Sequence, residues 1–323
     1  MQQNILITGI TGQDGLYLTR KLVNDPSIKK IYGTTRKPSS SSFFEKLSTL
    51  DKNIDLSKIA LININFESLN ETSSFFNDIN VSNVYNLMGP SSVYKSLIYP
   101  ELYKIKLLDN TLNIIKSLIS LKNFPSFFQA SSSEMFEISK DRLTEESNFL
   151  PRNPYSETKL KIHKLSIKLR KKYDWNITSG IMFNHESHFR ENDFLFKKII
   201  NYCINNKFEK ALKIGSLDIE RDWSHSEEFV DAMELIIKKS KSGEYIISSG
   251  TSNKISDLLE IIFKYFDKNY QDYIVVDNNL LREGDPISIT SCPKKIYNEL
   301  GWNTKLSFED VVVKIIEDHL KTI

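Results

Sequence analysis

Tyr155 and Lys159 stand four residues apart in NPYSETKLK, residues 153–161. In a helix that spacing is one turn, so both side chains share a face. An ammonium beside a phenol stabilises the tyrosinate and draws down a pKa that starts at about 10, which lets Tyr155 act as a base toward a substrate hydroxyl. The same spacing occurs by chance in many helices, where it marks a surface pair with a packed tyrosine ring. A second stretch shifts that balance. QASSSEMF, residues 129–136, offers Ser131, Ser132, Ser133 and Glu134 at the expected carboxyl end of a strand. A serine there can hydrogen-bond the reacting hydroxyl, and Glu134 adds a carboxyl able to move a second proton. A helix cap or turn remains open for the serines, and an exposed turn acid for Glu134.

A third stretch points to what these groups act with. LITGITGQDG, residues 6–15, spaces Gly9, Gly12 and Gly15 as G-x-x-G-x-x-G between an apolar strand and a helix. Such glycines permit a tight turn, let a pyrophosphate approach the backbone and allow the helix to pack close to the sheet. The helix N-terminus favours the anion. A dinucleotide cofactor is expected, with a plain glycine-rich turn as the alternative. No aspartate or glutamate lies between Asp25 and Glu45 to meet a ribose hydroxyl, and Arg36 and Lys37 stand there instead. Two cations at that point suit the 2′-phosphate of NADP, although a solvated basic pair would look the same.

The elements that must position these residues read as alternating strands and helices. Strands are expected at residues 4–9, 28–35, 61–66, 81–89 and 126–133, and helices at 14–24, 70–79, 100–121 and 153–173. That alternation predicts an α/β fold built on a Rossmann-type, doubly wound parallel sheet, with its ligand at the carboxyl ends of the strands. Residues 38–58, serine-rich and polar, read as a surface excursion. FNHESHFREND (183–193) and LLREGDP (280–286) read as loops, and residues 194–206 as a helix, in a smaller C-terminal part that closes over the first.

Composition narrows the remaining classes. The 323 residues carry 43 Lys plus Arg against 41 Asp plus Glu, a balance that suggests no nucleic-acid partner. Apolar residues make up 40%, as in ordinary globular proteins. Cys203 and Cys292 lack metal or disulfide spacing. No stretch approaches the roughly 20 apolar residues of a bilayer span, and no secretory leader is evident. A cytoplasmic protein without a membrane partner is expected.

Taken together, LITGITGQDG, QASSSE (129–134), PYSETK (154–159), GIMFNHES (180–187) and LDIERDWSHSEEFVDAM (217–233) resemble the extended short-chain dehydrogenase/reductase family, and within it the GDP-mannose 4,6-dehydratase branch. The resemblance runs across most of the chain, and its last two stretches are the more selective. It implies an NADP-binding Rossmann domain over residues 1–180 and a sugar-nucleotide domain over 181–323, with a strand returning to the first. It also implies Tyr155 as the base at the C4 hydroxyl, Lys159 as its support and a ribose contact, Ser132 in place of the usual threonine, and Glu134 as acid/base at C5 and C6. Thr11, Gln13, Asp14 and Asn65 would join the glycines, Arg36 and Lys37 around the cofactor. Asn184, Arg221 and Arg282, with Arg190 and Lys198, would hold the nucleotide sugar, and arginine's planar fork suits its phosphates independently. An interdomain salt bridge is the other reading for Arg221 and Arg282. His185 and His225 are too few for a metal site; Trp223 is expected to pack, and Asp222 to pair with an arginine.

The implied activity is dehydration of a GDP-hexose, GDP-mannose foremost, by a homodimer or homotetramer. Departures keep alternatives open. NLMGPSSV (86–93) stands for the family's NLAAQSHV, HFREND (188–193) for a proline- and arginine-containing loop, and Met135-Phe136-Glu137 for Leu-Tyr-Gly. Another NDP-hexose 4,6-dehydratase, a 4-epimerase, a 4-reductase and a non-catalytic NADP-binding regulator are the rival readings.

Overall fold

The computed structural model describes residues 2–36, 41–205, 208–239, 242–281 and 286–322. In chain order the strands are β1 (Gln3–Thr8), β2 (Ile28–Thr34), β3 (Ile59–Ile62), β4 (Asn83–Asn86), β5 (Ser126–Ser132), β6 (Ile177–Met182), β7 (Asn184–Glu186), β8 (Leu212–Ile214), β9 (Glu220–Arg221), β10 (Trp223–His225), β11 (Gly243–Ile247), β12 (Asn253–Lys254) and β13 (Ile274–Val276). The helices are α1 (Gln13–Val23), α2 (Ser41–Leu50), α3 (Leu69–Asp78), α4 (Val93–Ile98), α5 (Pro100–Tyr103), α6 (Asn110–Ser120), α7 (Pro154–Tyr173), α8 (Leu195–Ile204), α9 (Ser226–Lys239), α10 (Ile255–Tyr265), α11 (Lys294–Leu300) and α12 (Phe308–Leu320).

Seven parallel strands form the main sheet in the order β11-β6-β5-β4-β1-β2-β3. Alternation along β1 shows why both faces are covered. Ile5 and Ile7 enter one core with Leu16 and Leu22 of α1 and Phe229 and Met233 of α9, while Leu6 enters another with Phe76 of α3, Ile114 of α6 and Leu169 of α7. Period-two apolar strands sandwiched between amphipathic helices are the doubly wound arrangement. The chain runs β1, β2, β3 to one side and then resumes with β4 on the other side of β1, so the crevice opens at the carboxyl ends of β1 and β4. A third core, built from α8, α10 and α12 around Trp223, underlies the C-terminal part.

Several sequence expectations need correction. Within 38–58, the described residues include α2, which buries Phe43 and Leu47 one turn apart against the main core; the surrounding serines hid an amphipathic helix. The strand expected at 61–66 is β3, which begins two residues earlier and ends at Ile62. The span 100–121 is broken into α5, a π-helical turn at Lys104–Asp109, and α6. FNHES is only partly loop, because β7 pairs in parallel with β10 of the RDWSH stretch.

Candidate active site

The start of α7 is fixed by its sequence. Asn153 caps the helix, its side chain accepting from the Ser156 amide at 2.9 Å while the Ser156 hydroxyl accepts from the Asn153 amide at 3.2 Å. Pro154 occupies the first turn, where its missing N–H costs nothing. Tyr155 and Lys159 therefore face the carboxyl end of β5 from the first two turns. The Tyr155 hydroxyl is beside Ser132, whose side chain favours the phenolate, and the Lys159 ammonium donates to the Ala130 carbonyl at 2.8 Å. That ammonium lies 5.7 Å from the centre of the Tyr155 ring. Directly after β5, the Ser132 hydroxyl accepts from the Glu134 amide at 3.2 Å and so begins the short 3₁₀ turn Ser133–Met135. Buried Met135 and Phe136 anchor that turn, leaving the Glu134 side chain half-buried at the mouth.

Electrostatics at this point differ from the sequence expectation. Burial pushes the Tyr155 phenol up to about 12; the Ser132 side chain opposes this, the Glu134 carboxylate adds to it, and the Arg190 charge opposes it. The lowering expected from Lys159 does not set the direction, because burial outweighs the charges around the phenol. Lys159 itself is pushed down to about 8 by burial, against the pull of the Asp14 carboxylate. Tyr155 and Lys159 are thus both held in a dry pocket that penalises their charged forms.

The glycine loop fits a dinucleotide. Gly9 has φ +70°, and a Cβ there would lie 2.9 Å from the Met88 Cα, so this turn and the loop after β4 touch at the switch point. A Cβ on Gly15 would stand 2.4 Å from the Ile10 carbonyl oxygen; that glycine brings α1 against the loop. Gly12, with φ −74°, caps α1 without any side-chain acceptor, and its Cβ position meets only the Gly9 carbonyl at 3.4 Å. The first amides of α1 are open to an anion from that side. Thr11 is exposed on the same loop.

Gln13 and Asp14 do something the sequence did not reveal. Gln13 donates to the His185 carbonyl at 2.9 Å and accepts from the Ser187 hydroxyl at 3.0 Å, and Asp14 meets His185 Nε2 at 3.0 Å. The two most distinctive motifs of the chain, QDG and NHES, are partners in space. The signal was their shared rarity, which spacing alone cannot convert into a contact.

The other sequence-derived residues scatter around this centre. Asn184 opens β7, opposite Trp223. Arg190 meets Glu186 at 3.2 Å and covers the Phe194 ring at 3.6 Å, close enough for its charge to act on Tyr155. Arg221 is buried and donates to the carbonyls of Glu220 and Pro286 at 2.7 and 2.9 Å. Lys198 donates to the Lys213 carbonyl at 3.1 Å, away from Tyr155's neighbours. Arg36 and Asn65 are exposed beyond the carboxyl ends of β2 and β3; Lys37 and Arg282 lie outside the described residues. Among the described residues Asp222 pairs with no arginine: it accepts from Ser249, Gly250 and Ser291, a hydroxyl-rich socket that holds two loops together. Trp223 packs, stacked on Phe308. Sequence reasoning missed Tyr103, whose ring stands edge-on to Tyr155 at 6.3 Å.

With this geometry in view, comparison with known proteins is decisive. A family model described as GDP-mannose 4,6 dehydratase matches residues 6–315. The chain belongs to that family. It is an enzyme of the family's kind, a nucleotide-sugar dehydratase dependent on a nicotinamide dinucleotide. A curated relative from Arabidopsis thaliana, GDP-mannose 4,6 dehydratase 2, is 28% identical over 325 residues, covering 98% of this chain and 86% of its own length. Among solved structures, a dTDP-glucose 4,6-dehydratase from Streptomyces venezuelae with NAD bound shares the fold with a TM-score of 0.85 at 16% identity, covering 98% of this chain and 97% of that one. RMD from Pseudomonas aeruginosa, complexed with NADPH, gives 0.80 at 18% identity over 100% of this chain and 99% of that one. Among the described residues no helix is long and apolar enough to cross a membrane.

Proposed function

We propose that this enzyme dehydrates a GDP-hexose, GDP-mannose foremost, to the 4-keto-6-deoxy sugar nucleotide with NADP as its resident cofactor. The observation that carries the reading is the meeting of two proton-handling groups at one strand end: Tyr155 on Ser132, and Glu134 one turn beyond it. The dinucleotide, when bound, supplies the hydride acceptor and later the hydride donor. Gly9, Gly12 and Gly15 hold its pyrophosphate, with Thr11 and the α1 amides, while Arg36, Lys37 and Asn65 meet its adenosine end.

Tyr155 takes the C4 hydroxyl proton, steadied by Ser132, whose side chain favours the phenolate. Lys159 holds the nicotinamide ribose and favours the tyrosinate. A ketone at C4 acidifies the C5 proton; Glu134 removes it and delivers it to the departing 6-hydroxyl, so the sugar loses water, and the proton held by Tyr155 returns to C5 as C6 is reduced. Asn184, Arg190, Arg221 and Arg282, with Lys198, hold the nucleotide diphosphate. Residues 1–180 act as the cofactor domain and residues 181–323 mainly as the sugar-nucleotide domain, with β11 returning to the sheet. A cytoplasmic location and assembly as a homodimer or homotetramer belong to the same proposal.

A second reading, dehydration of a different NDP-hexose, is favoured by the altered loop after β4. Gly89 has φ +111° and would drive a Cβ into Leu107 of the π-helical turn, while Ser92 caps α4, accepting from the Lys95 amide at 3.2 Å. This wall differs from the family pattern where the sugar is expected.

Incubation with GDP-mannose and trace NADP, followed by mass, tests both readings. Loss of one water, abolished in Tyr155→Phe, supports the first. Reaction only with another nucleotide hexose supports the second, and inertness toward all of them overturns the dehydratase assignment.

A further inference from the structure

His163 lies one turn beyond Lys159 on α7 and is 1% exposed. Its Nδ1 is 3.0 Å from the hydroxyl of Ser131, itself 3% exposed. Three consecutive residues of β5 therefore face α7: Ala130 accepts from Lys159, Ser131 bonds His163, and Ser132 stands beside Tyr155. The opposite side of the imidazole meets aromatic rings. Phe149 stands edge-on to the ring at 5.2 Å and stacks on Phe136 at 5.1 Å with the planes 20° apart. Phe136 in turn closes the Glu134 turn, its amide donating to the Ser133 carbonyl at 3.1 Å.

We propose that His163 is a positioning residue for the dehydration, setting Ser132 through Ser131 and, through the Ser132 hydroxyl that accepts from its amide, Glu134. This rests on the reaction proposed above. Ser132 has two tasks, favouring the Tyr155 phenolate and accepting from the Glu134 amide, and neither survives a rotation of the strand end. A bond at Ser131 fixes that end against the same helix that carries Tyr155. Either neutral tautomer sustains it, since a hydroxyl both donates and accepts. Burial keeps the ring neutral by pushing its pKa down to about 4.

Two substitutions separate the arms. His163→Asn places an amide near the Nδ1 position and keeps the Ser131 bond; His163→Phe keeps the ring edge on Phe149 and removes the nitrogen. In the NADP-loaded enzyme, His163→Phe is expected to lower kcat about tenfold, the weight of one buried hydrogen bond, with KM nearly unchanged. Its pH profile should also move. Ser132, Glu134, Arg190, Tyr103 and Lys159 surround the phenol; the Ser132 side chain and the Arg190 charge both favour the tyrosinate, so displacing Ser132 shifts the Tyr155 limb to higher pH. His163→Asn should recover most of both. The Glu134 amide, followed by NMR without substrate, should shift in the phenylalanine variant and stay in place in the asparagine one. Wild-type kcat and pH limb in His163→Phe, or an unmoved Glu134 amide, overturns the proposal. If the wild type turns over no sugar nucleotide, the reaction reading fails by itself, and the Glu134 amide alone then decides the role of His163.

Discussion

His185 Nε2 lies 3.0 Å from an Asp14 carboxylate oxygen while its Nδ1 lies 2.8 Å from the Phe183 carbonyl. Both ring nitrogens face acceptors, an arrangement that favours the doubly protonated ring. Burial works against that charge, but the Asp14 charge and the hydrogen bonds to Asp14 and Phe183 outweigh it and raise the pKa. The first turn of α1, which carries the glycine loop, is thereby tied to the β7 segment of the other half.

A pH dependence follows with a definite sign. A histidine whose folded pKa is raised contributes stability that is fully present below its unfolded value of about 6.5 and is lost as pH rises through the folded pKa. Calorimetry should show Tm falling over that window by on the order of 3 °C, the weight of a charge-assisted bond in a chain of this size. Asp14→Asn should be less stable at low pH and should flatten this part of the profile. An unchanged slope in Asp14→Asn removes the ion pair as its cause.

Glu134→Gln separates the two halves of the reaction. The amide keeps its backbone bond to Ser132 and its place on the 3₁₀ turn, but cannot take a proton. We expect dehydration to fall by about 10²–10⁴-fold, the usual worth of a general acid/base, while oxidation at C4 continues and reduced cofactor builds up in the ultraviolet spectrum. Normal product formation would remove Glu134 from the elimination.

How much of this was legible in the sequence depends on range. The glycine loop and the Tyr155–Lys159 spacing are local patterns set by backbone sterics and helical period, and both appear in the structure where the sequence put them. What failed was long-range or masked. The α2 helix hides its Phe43–Leu47 pair among serines, and β7 and β10 are three-residue strands too short to leave a period. Arg221 looks like a phosphate ligand by type, yet its guanidinium also holds carbonyls of its own chain, a use no motif announces. The phenol's direction of shift was misjudged for a similar reason: sequence places the lysine nearby but does not show the burial that raises the phenol pKa.

In the proposed function Arg36, exposed just past β2, meets the 2′-phosphate and so sets the choice of cofactor. Arg36→Ala should weaken NADP binding by about 10- to 100-fold, the range of one charge-assisted phosphate contact, and leave NAD binding nearly unchanged. Fluorescence titration of both dinucleotides measures the ratio. Equal loss for both, or none, would mean that Arg36 does not meet the 2′-phosphate.

Gly12 and Gly15 are three residues apart and should fail in different ways. A Cβ at Gly15 lies 2.4 Å from the Ile10 carbonyl oxygen and 2.6 Å from its Cα, backbone atoms that cannot swing aside. Gly15→Ala should therefore destabilise the unliganded protein by about 1–3 kcal/mol, as overpacking does, and lower Tm with or without cofactor. Gly12 has an ordinary φ of −74°, and its added methyl would meet only the Gly9 carbonyl at 3.4 Å. Gly12→Ala should then fold with a nearly unchanged Tm but place a methyl where the pyrophosphate approaches the open α1 amides, so NADP affinity should fall while the fold stands. Thermal unfolding with and without NADP distinguishes the two: a stable Gly12→Ala that the cofactor no longer stabilises, beside a Gly15→Ala already weak alone. A Gly12→Ala protein that binds NADP as tightly as the wild type would mean that the pyrophosphate does not use this loop.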